Sequence, residues 1–262
     1  MPELPEVETV RRVLASRLVG KRALTLDVSK HNFNRKADLP ALRAAAVGRV
    51  LQSIDRRGKY MIWKFEGGRE MILHLGMSGR LLLQQESKWP RMRMTFDGPI
   101  HLTFEDPRRF GFAIVERPEL GPEPLDADFT VETLRAVLKG RKAPIHAVLM
   151  DQKAVAGVGN IYSTESLAQA GIRPGRRAAS LKADEIAKLY KCLRATLKRA
   201  VEEGGSTLED DGYKDPEGES GSMQDWLIVY GREDCGRCKG EVKTTRKPLS
   251  GRTARFCPRC QK

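Results

Sequence analysis

The apolar positions change their period part-way along the chain. Val7, Val10, Leu14 and Leu18 recur at three- and four-residue intervals and Gly20 follows, which predicts a helix over 5–18. Short segments of strand character come next, at 24–28, 50–54, 60–65, 71–75, 101–104 and 112–115. Turn signals such as Gly67-Gly68 and Asp97-Gly98 separate them, so the first half reads as a mostly antiparallel sandwich or barrel. The stretch 117–128 carries three prolines and reads as a linker. Beyond it the spacing becomes helical, over about 131–139, 144–152, 160–170 and 181–203. In the last of these Ile186, Leu189, Tyr190, Leu193, Leu197 and Val201 form one apolar stripe, a core-packing face.

At 262 residues the chain is near the length at which single cores stop growing, so two domains are expected. A hydrophobic content of 40% excludes global disorder. No run approaches the roughly 18 apolar residues of a membrane span, and Met1-Pro2-Glu3 does not open a signal peptide. A soluble, cytosolic protein is expected. The 47 Lys and Arg against 34 Asp and Glu leave a net charge of +13. That excess fits a nucleic-acid partner, an anionic membrane surface or plain solubility.

The five cysteines narrow the choice. Cys192 stands alone in a predicted helix and reads as a small buried hydrophobe. Cys235, Cys238, Cys257 and Cys260 form two C-x-x-C pairs whose spacing matches a tetrahedral four-thiolate zinc site. Four thiolates leave no position for water, so the ion is expected to be structural. Around it, residues 231–262 hold ten Lys or Arg against three acids, a stapled hairpin suited to phosphates. The stretch 205–225 has the opposite sign, with seven acids, one lysine and four glycines, and reads as a solvated, mobile loop.

The opening Met1-Pro2-Glu3-Leu4-Pro5-Glu6 carries candidate chemistry. Initiator methionine is normally removed before a small residue such as proline, leaving Pro2 with a free secondary amine. An N-terminal amine has a pKa well below that of lysine and is partly neutral near pH 7, hence nucleophilic. Attack on an aldehyde carbon would give a cationic iminium. The plainer alternative is that Pro2 and Pro5 only fix the entry to a helix.

Five separated motifs decide the matter by their order: Pro2-Glu3-Leu4-Pro5-Glu6-Val7-Glu8-Thr9, His74-Leu75-Gly76-Met77-Ser78-Gly79-Arg80, Asp106-Pro107-Arg108-Arg109-Phe110-Gly111, Gly157-Val158-Gly159-Asn160-Ile161-Tyr162 and the four-cysteine finger. Together they resemble the formamidopyrimidine-DNA glycosylase family over essentially the whole chain. The resemblance implies an α+β multidomain fold: an N-terminal β-sandwich with an N-terminal helix at 1–116, a linker at 117–130, a helix-two-turn-helix domain with the acidic loop at 131–225, and a zinc finger at 226–262. It implies a monomeric, cytoplasmic, bacterial-type bifunctional glycosylase and apurinic/apyrimidinic lyase, with damaged double-stranded DNA lying between the domains.

In that reading Pro2 is the nucleophile, Glu3 shuttles protons, Glu6 orients the site and Lys59 contacts the phosphate beside the lesion. Met77, Arg108 and Phe110 resemble the residues that fill the space left by an extruded base. His74, Asn160 and Arg252 resemble phosphate contacts. Taken alone, Lys59 is an ordinary surface lysine, His74 a structural histidine, and Met77 and Phe110 core residues. The Pro-Glu-Leu-Pro-Glu-Val opening favours oxidised purines over oxidised pyrimidines. The loop after Gly204-Gly205-Ser206-Thr207-Leu208 departs from the family pattern, continuing as Glu209-Asp210-Asp211, so the family's usual capping of 8-oxoguanine is not expected to carry over. A catalytically silent lesion-binding protein is the alternative from another class.

Overall fold

The computed structural model describes residues 2–29, 38–208, 213–249 and 251–262. Their packing divides the chain into two compact units, Met1–Pro118 with Glu203–Ser222, and Glu119–Glu202 with Met223–Lys262.

The first unit opens with helix α1 (Leu4–Leu18), whose Val7, Val10, Leu14 and Leu18 are buried at the predicted intervals. Pro5 lies in its first turn, and the Glu6 carboxylate reaches back to accept from the Glu3 N–H at 2.8 Å, half of a capping box. The strands are β1 (Ala23–Val28), β2 (Leu51–Arg57), β3 (Tyr60–Phe65), β4 (Arg69–His74), β5 (Arg80–Leu82), β6 (Pro90–Phe96), β7 (Ile100–Glu105) and β8 (Phe112–Ile114), with helix α2 (Leu39–Ala46) after β1. They form two four-stranded antiparallel sheets, ordered β1-β6-β7-β5 and β2-β3-β4-β8. One core joins Leu26, Met94, Phe96 and Phe104 of the first sheet to Ile54, Trp63, Phe65 and Leu73 of the second, with the α1 stripe packed into it. This is the expected sandwich with its N-terminal helix.

Two strands and a helix go beyond the periodicity. In β6, Met92, Met94 and Phe96 point inward while charged or polar residues lie between them, and β5 is only three residues long. Helix α2 is set by its cap: Asp38 accepts from the Ala41 N–H at 3.1 Å, with Pro40 in the first turn.

The second unit contains α3 (Val131–Leu138), α4 (Ile145–Met150), α5 (Asn160–Ala170) and α6 (Ala183–Glu202), then the hairpin strands β9 (Lys243–Thr244) and β10 (Arg255–Phe256). Helix α5 is buried on nearly every side. On α6 the buried face is Ile186, Leu189, Leu193, Thr196, Leu197 and Ala200, with Tyr190 and Val201 half-buried at its margin. Tyr190 stacks on Phe129, its ring 5.9 Å away, and Arg194 donates to the carbonyls of Pro124 and Asp126. Much of the proline-rich stretch is therefore fastened to α6. Cys192 is half-buried rather than fully buried.

Candidate nucleic-acid interface and metal centre

In the first unit, Pro2 is buried just ahead of α1, and Glu3 and Glu6 are each 1% exposed. Glu6 is held by two backbone donors: Glu3 N–H on Oε2 and Ser206 N–H on Oε1, both at 2.8 Å. Gly205, at φ +86°, permits this approach, because a Cβ there would lie 2.7 Å from Glu6 Cγ. Tyr213 closes the same corner as a core residue. Its burial, followed by the Glu6 charge, raises its pKa, so the phenol stays neutral.

Glu8, one turn further on, binds Arg11, Arg12 and Arg56. Burial alone would raise its pKa, but the guanidinium hydrogen bonds and charges outweigh burial and hold it at about 2. Arg56 also donates to the Gly58 carbonyl at 3.0 Å, so Glu8 braces the Gly58-Lys59 turn between β2 and β3. Lys59 itself is 5% exposed, not the surface lysine its type suggests.

His74 ends β4 across from Tyr60, with its ring centre 4.7 Å from Tyr60 and stacked 5.0 Å from Phe112. Its Nδ1 accepts from the Gly76 N–H at 3.0 Å, which leaves the ring proton on Nε2. Burial, then the Lys59 charge, pull its pKa down to about 4. His74 is thus a neutral ring with one fixed donor.

Met77, Arg108 and Phe110 are brought together on two loops pressed against each other. A Cβ on Gly76 would lie 2.4 Å from the Phe110 backbone, and one on Gly111 would lie 2.3 Å from the Phe104 ring. Phe110 is 51% exposed, and the Arg108 guanidinium lies over its ring at 5.2 Å. Asp106, fully buried, is the clamp. Its Oδ1 accepts from Ser78 Oγ at 2.5 Å and the Arg108 N–H at 3.1 Å, and its Oδ2 from the Gly111 N–H at 2.7 Å. Arg91 grips the Asp106 carbonyl at 2.7 Å. The clamp holds Arg109 at φ +60°, a conformation non-glycine residues rarely adopt.

In the second unit, Asn160 starts α5 after the turn Gly157-Val158-Gly159, with Gly157 at φ +87°. Gln152 organises that turn, accepting from the Gly157 N–H at 2.9 Å and donating to the Val158 carbonyl at 2.8 Å. Asn160 Oδ1 lies 2.9 Å from Nε2 of the buried His146.

The sulfurs of Cys235, Cys238, Cys257 and Cys260 lie within 4.8 Å of one another, two of the separations being 3.5 and 4.0 Å. A tetrahedron of thiolates about 2.3 Å from a central zinc has edges of about 3.8 Å, so the cluster is the right size for one ion. Glu165 on α5, fully buried, fastens the segment leading to the finger. It accepts from the backbone N–H groups of Ile228, Val229 and Tyr230 at 2.6, 2.9 and 2.7 Å. Arg252 is exposed at the hairpin tip, where Leu249 and Arg252 bridge.

Part of the acidic stretch is tied to the first unit. Glu209, Asp210 and Asp211 lie outside the described residues. The part that follows is tied down: Asp215 accepts from the N–H groups of Glu217 and Glu219, Glu217 pairs with Arg17, and the Pro216 carbonyl accepts from Leu83.

Asp106, Glu8, His146 and Glu165 are not among the individual residues predicted from sequence. Glu165 carried a visible signal, being a lone acid in a helix of small and apolar residues. The others act through partners distant in sequence or through loop geometry.

Residues 1–113 match the formamidopyrimidine-DNA glycosylase N-terminal domain, and residues 120–211 match the formamidopyrimidine-DNA glycosylase H2TH domain. The formamidopyrimidine-DNA glycosylase of Carboxydothermus hydrogenoformans is 40% identical over the full length of both chains. The crystal structure of the MutM (Fpg) protein from Thermus thermophilus superposes with a TM-score of 0.89 at 39% identity, covering 99% of this chain and 98% of that one. A glycine-to-proline variant of the Lactococcus lactis protein, bound to DNA containing Fapy-dG, gives 0.89 at 33% identity over all of both chains. The chain belongs to the formamidopyrimidine-DNA glycosylase family.

Proposed function

We propose that this enzyme removes oxidised purines, formamidopyrimidines and 8-oxoguanine, from duplex DNA and then cleaves the strand through an iminium on Pro2. The buried carboxylates of Glu3 and Glu6 at the head of α1 carry this reading, because they put acid-base groups out of bulk water beside the Pro2 amine.

After removal of Met1, the Pro2 nitrogen attacks C1′ of the damaged nucleotide, the C1′–N bond to the base breaks, and the proton shed by the Pro2 nitrogen passes to the departing base. Glu3 supplies the proton that opens the sugar ring at its oxygen, and the nitrogen lone pair completes the iminium. Loss of a C2′ proton expels the 3′ phosphate, and a second elimination expels the 5′ phosphate, leaving a gap with phosphate on both ends. Glu6, tied by Ser206, orients the site. Lys59 and the His74 Nε2–H bind phosphates beside the lesion, and on the second unit Asn160 and Arg252 are phosphate contacts. Met77, Arg108 and Phe110 fill the stack once the base is out, with Arg108 offering donors to the orphaned partner base. Zinc on Cys235, Cys238, Cys257 and Cys260 would fix the hairpin that presents Arg252. No helix among the described residues is long and apolar enough to cross a membrane. The enzyme acts as a monomer on DNA in the cytoplasm.

Borohydride trapping on duplexes carrying 8-oxoguanine or an abasic site tests the mechanism. Mature protein, its processed N-terminus checked by intact mass, should give a covalent adduct, and Pro2→Gly should give none. Absence of an adduct with the mature wild type overturns the proposal. Faster excision of 5-hydroxyuracil or thymine glycol than of 8-oxoguanine opposite cytosine would move the substrate to oxidised pyrimidines.

A further inference from the structure

The Asn160 amide can face its neighbour in two ways, and the buried ring beside it selects one. His146, on α4, is 0% exposed; its Nε2 contacts Asn160 Oδ1 at 2.9 Å, and its Nδ1 has no hydrogen-bond partner among the described residues. Burial pulls its pKa down to about 4, against a smaller upward effect of the Asn160 bond, so near neutral pH the ring has a single proton to place. If that proton is on Nε2, it is donated to Asn160 Oδ1 and Nδ1 keeps a bare lone pair. If the amide is turned so that its NH2 donates to Nε2, the ring proton moves to Nδ1 and becomes a buried N–H without an acceptor. An orphaned buried donor is the costlier of the two. The ring therefore fixes both its own tautomer and the direction of the amide.

We propose that His146 is a positioning residue for DNA binding: it holds the Asn160 oxygen inward, so that the amide NH2 at the start of α5 faces outward as a donor to a backbone phosphate oxygen. This rests on the reading of Asn160 as a phosphate contact. The arrangement removes the alternative in which the amide would present its carbonyl oxygen to an anion. It also aligns the side-chain donor with the N-terminus of α5, where the helix dipole already favours negative charge. Since neither side chain is charged, the contact adds affinity without releasing counterions.

The test is affinity for a short duplex with a tetrahydrofuran abasic analogue, measured by anisotropy at several salt concentrations on full-length protein. Asn160→Ala should weaken binding about tenfold, the size of one lost hydrogen bond to a charged group. His146→Ala should weaken it by a comparable factor, and the double variant should bind no worse than the poorer single variant. The slope of log affinity against log salt should not change in any of them. His146→Gln, whose amide nitrogen can stand near the Nε2 position, should recover most of the loss. His146→Leu, which fills the volume without a donor, should behave like His146→Ala and replaces it if that variant does not fold. Additive losses, wild-type binding by His146→Leu, or a salt slope reduced by about one would overturn the proposal, the last because the ring would then be a cationic phosphate contact itself. Wild-type binding by Asn160→Ala would instead overturn the phosphate reading, and the inference would fall with it.

Discussion

Asp106→Asn changes one atom and should loosen the wedge without emptying the core. The carboxylate receives Ser78 Oγ, Arg108 N–H and Gly111 N–H. An amide has only one acceptor oxygen. Its best placement keeps that oxygen on Gly111 and lets the NH2 donate to Ser78, whose hydroxyl can reverse its role. Arg108 N–H is then left facing a donor. Two bonds to a charged group, each contributing about 1.5–3 kcal/mol, become neutral bonds of about 0.5–1.5 kcal/mol, and a third is lost to water on the exposed side. The ordered loop should therefore be destabilised by about 2–3 kcal/mol. If all of that is expressed in binding, affinity for an abasic-site duplex falls by at most about 30- to 150-fold. Titration of the labelled duplex, with thermal unfolding as a control for the fold, measures both quantities. An Asp106→Asn protein that binds within twofold of wild type would refute the view that this carboxylate holds the wedge in place.

Four further outcomes follow from the same structure. Chelation of the metal, or Cys257→Ser, should abolish binding to abasic DNA, and metal analysis of the native protein should return one zinc per chain; a metal-free protein that still binds contradicts this. Glu165→Gln turns an amide NH2 toward one of three buried N–H groups, costing about 1–3 kcal/mol, and should lower the melting temperature by several degrees. His74 and His146 both sit at about 4 when folded, below the ordinary 6.5, so the unfolded chain takes up protons that the folded chain refuses. Stability should be full above about pH 6.5 and fall as the pH drops toward 4; Glu8, held at about 2, should lose its contribution only below the ordinary carboxylate value of 4.5. A urea midpoint unchanged between pH 6.5 and 4.5 would contradict the histidine assignment. Gly76→Ala should cripple lesion binding, because its Cβ would meet backbone rather than a movable side chain.

Where an element buries a regular stripe, its sequence announces it. The α1 intervals and the helical second half are the clearest cases, and on α6 Thr196 and Ala200 join the buried face while Tyr190 and Val201 move to its margin. Strand β6 is harder to see, because Arg91 and Arg93 alternate with inward methionines and the local charge masks the period. Arg91 is itself buried, spending its charge on the Asp106 carbonyl. The candidate site divides the same way. Pro2 comes to notice by its chemistry, and the family resemblance adds Lys59, His74, Arg108 and Asn160, but Glu8 meets Arg56, and His146 meets Asn160, only after the chain has folded. The acidic stretch is the strongest divergence. Its composition suggests free solvent exposure, whereas one tyrosine anchors it in a hydrophobic core.

That anchor has a consequence for how the protein is made. Gly205, Ser206 and Tyr213, which close the corner around Glu6, are translated after all of residues 119–202. A nascent chain that has released only its first 118 residues has every strand of the sandwich but a vacant place in the core where Tyr213 belongs. Its strands can pair while the helical unit is synthesised, but the corner around Glu6 closes only once Ser206 and Tyr213 emerge. Pro2, among the first residues out of the ribosome, should stay without a finished pocket until residue 222 has followed it. A genetic fragment ending at 118 would for the same reason lack the Ser206 donor and the Tyr213 ring that complete the corner around Glu6.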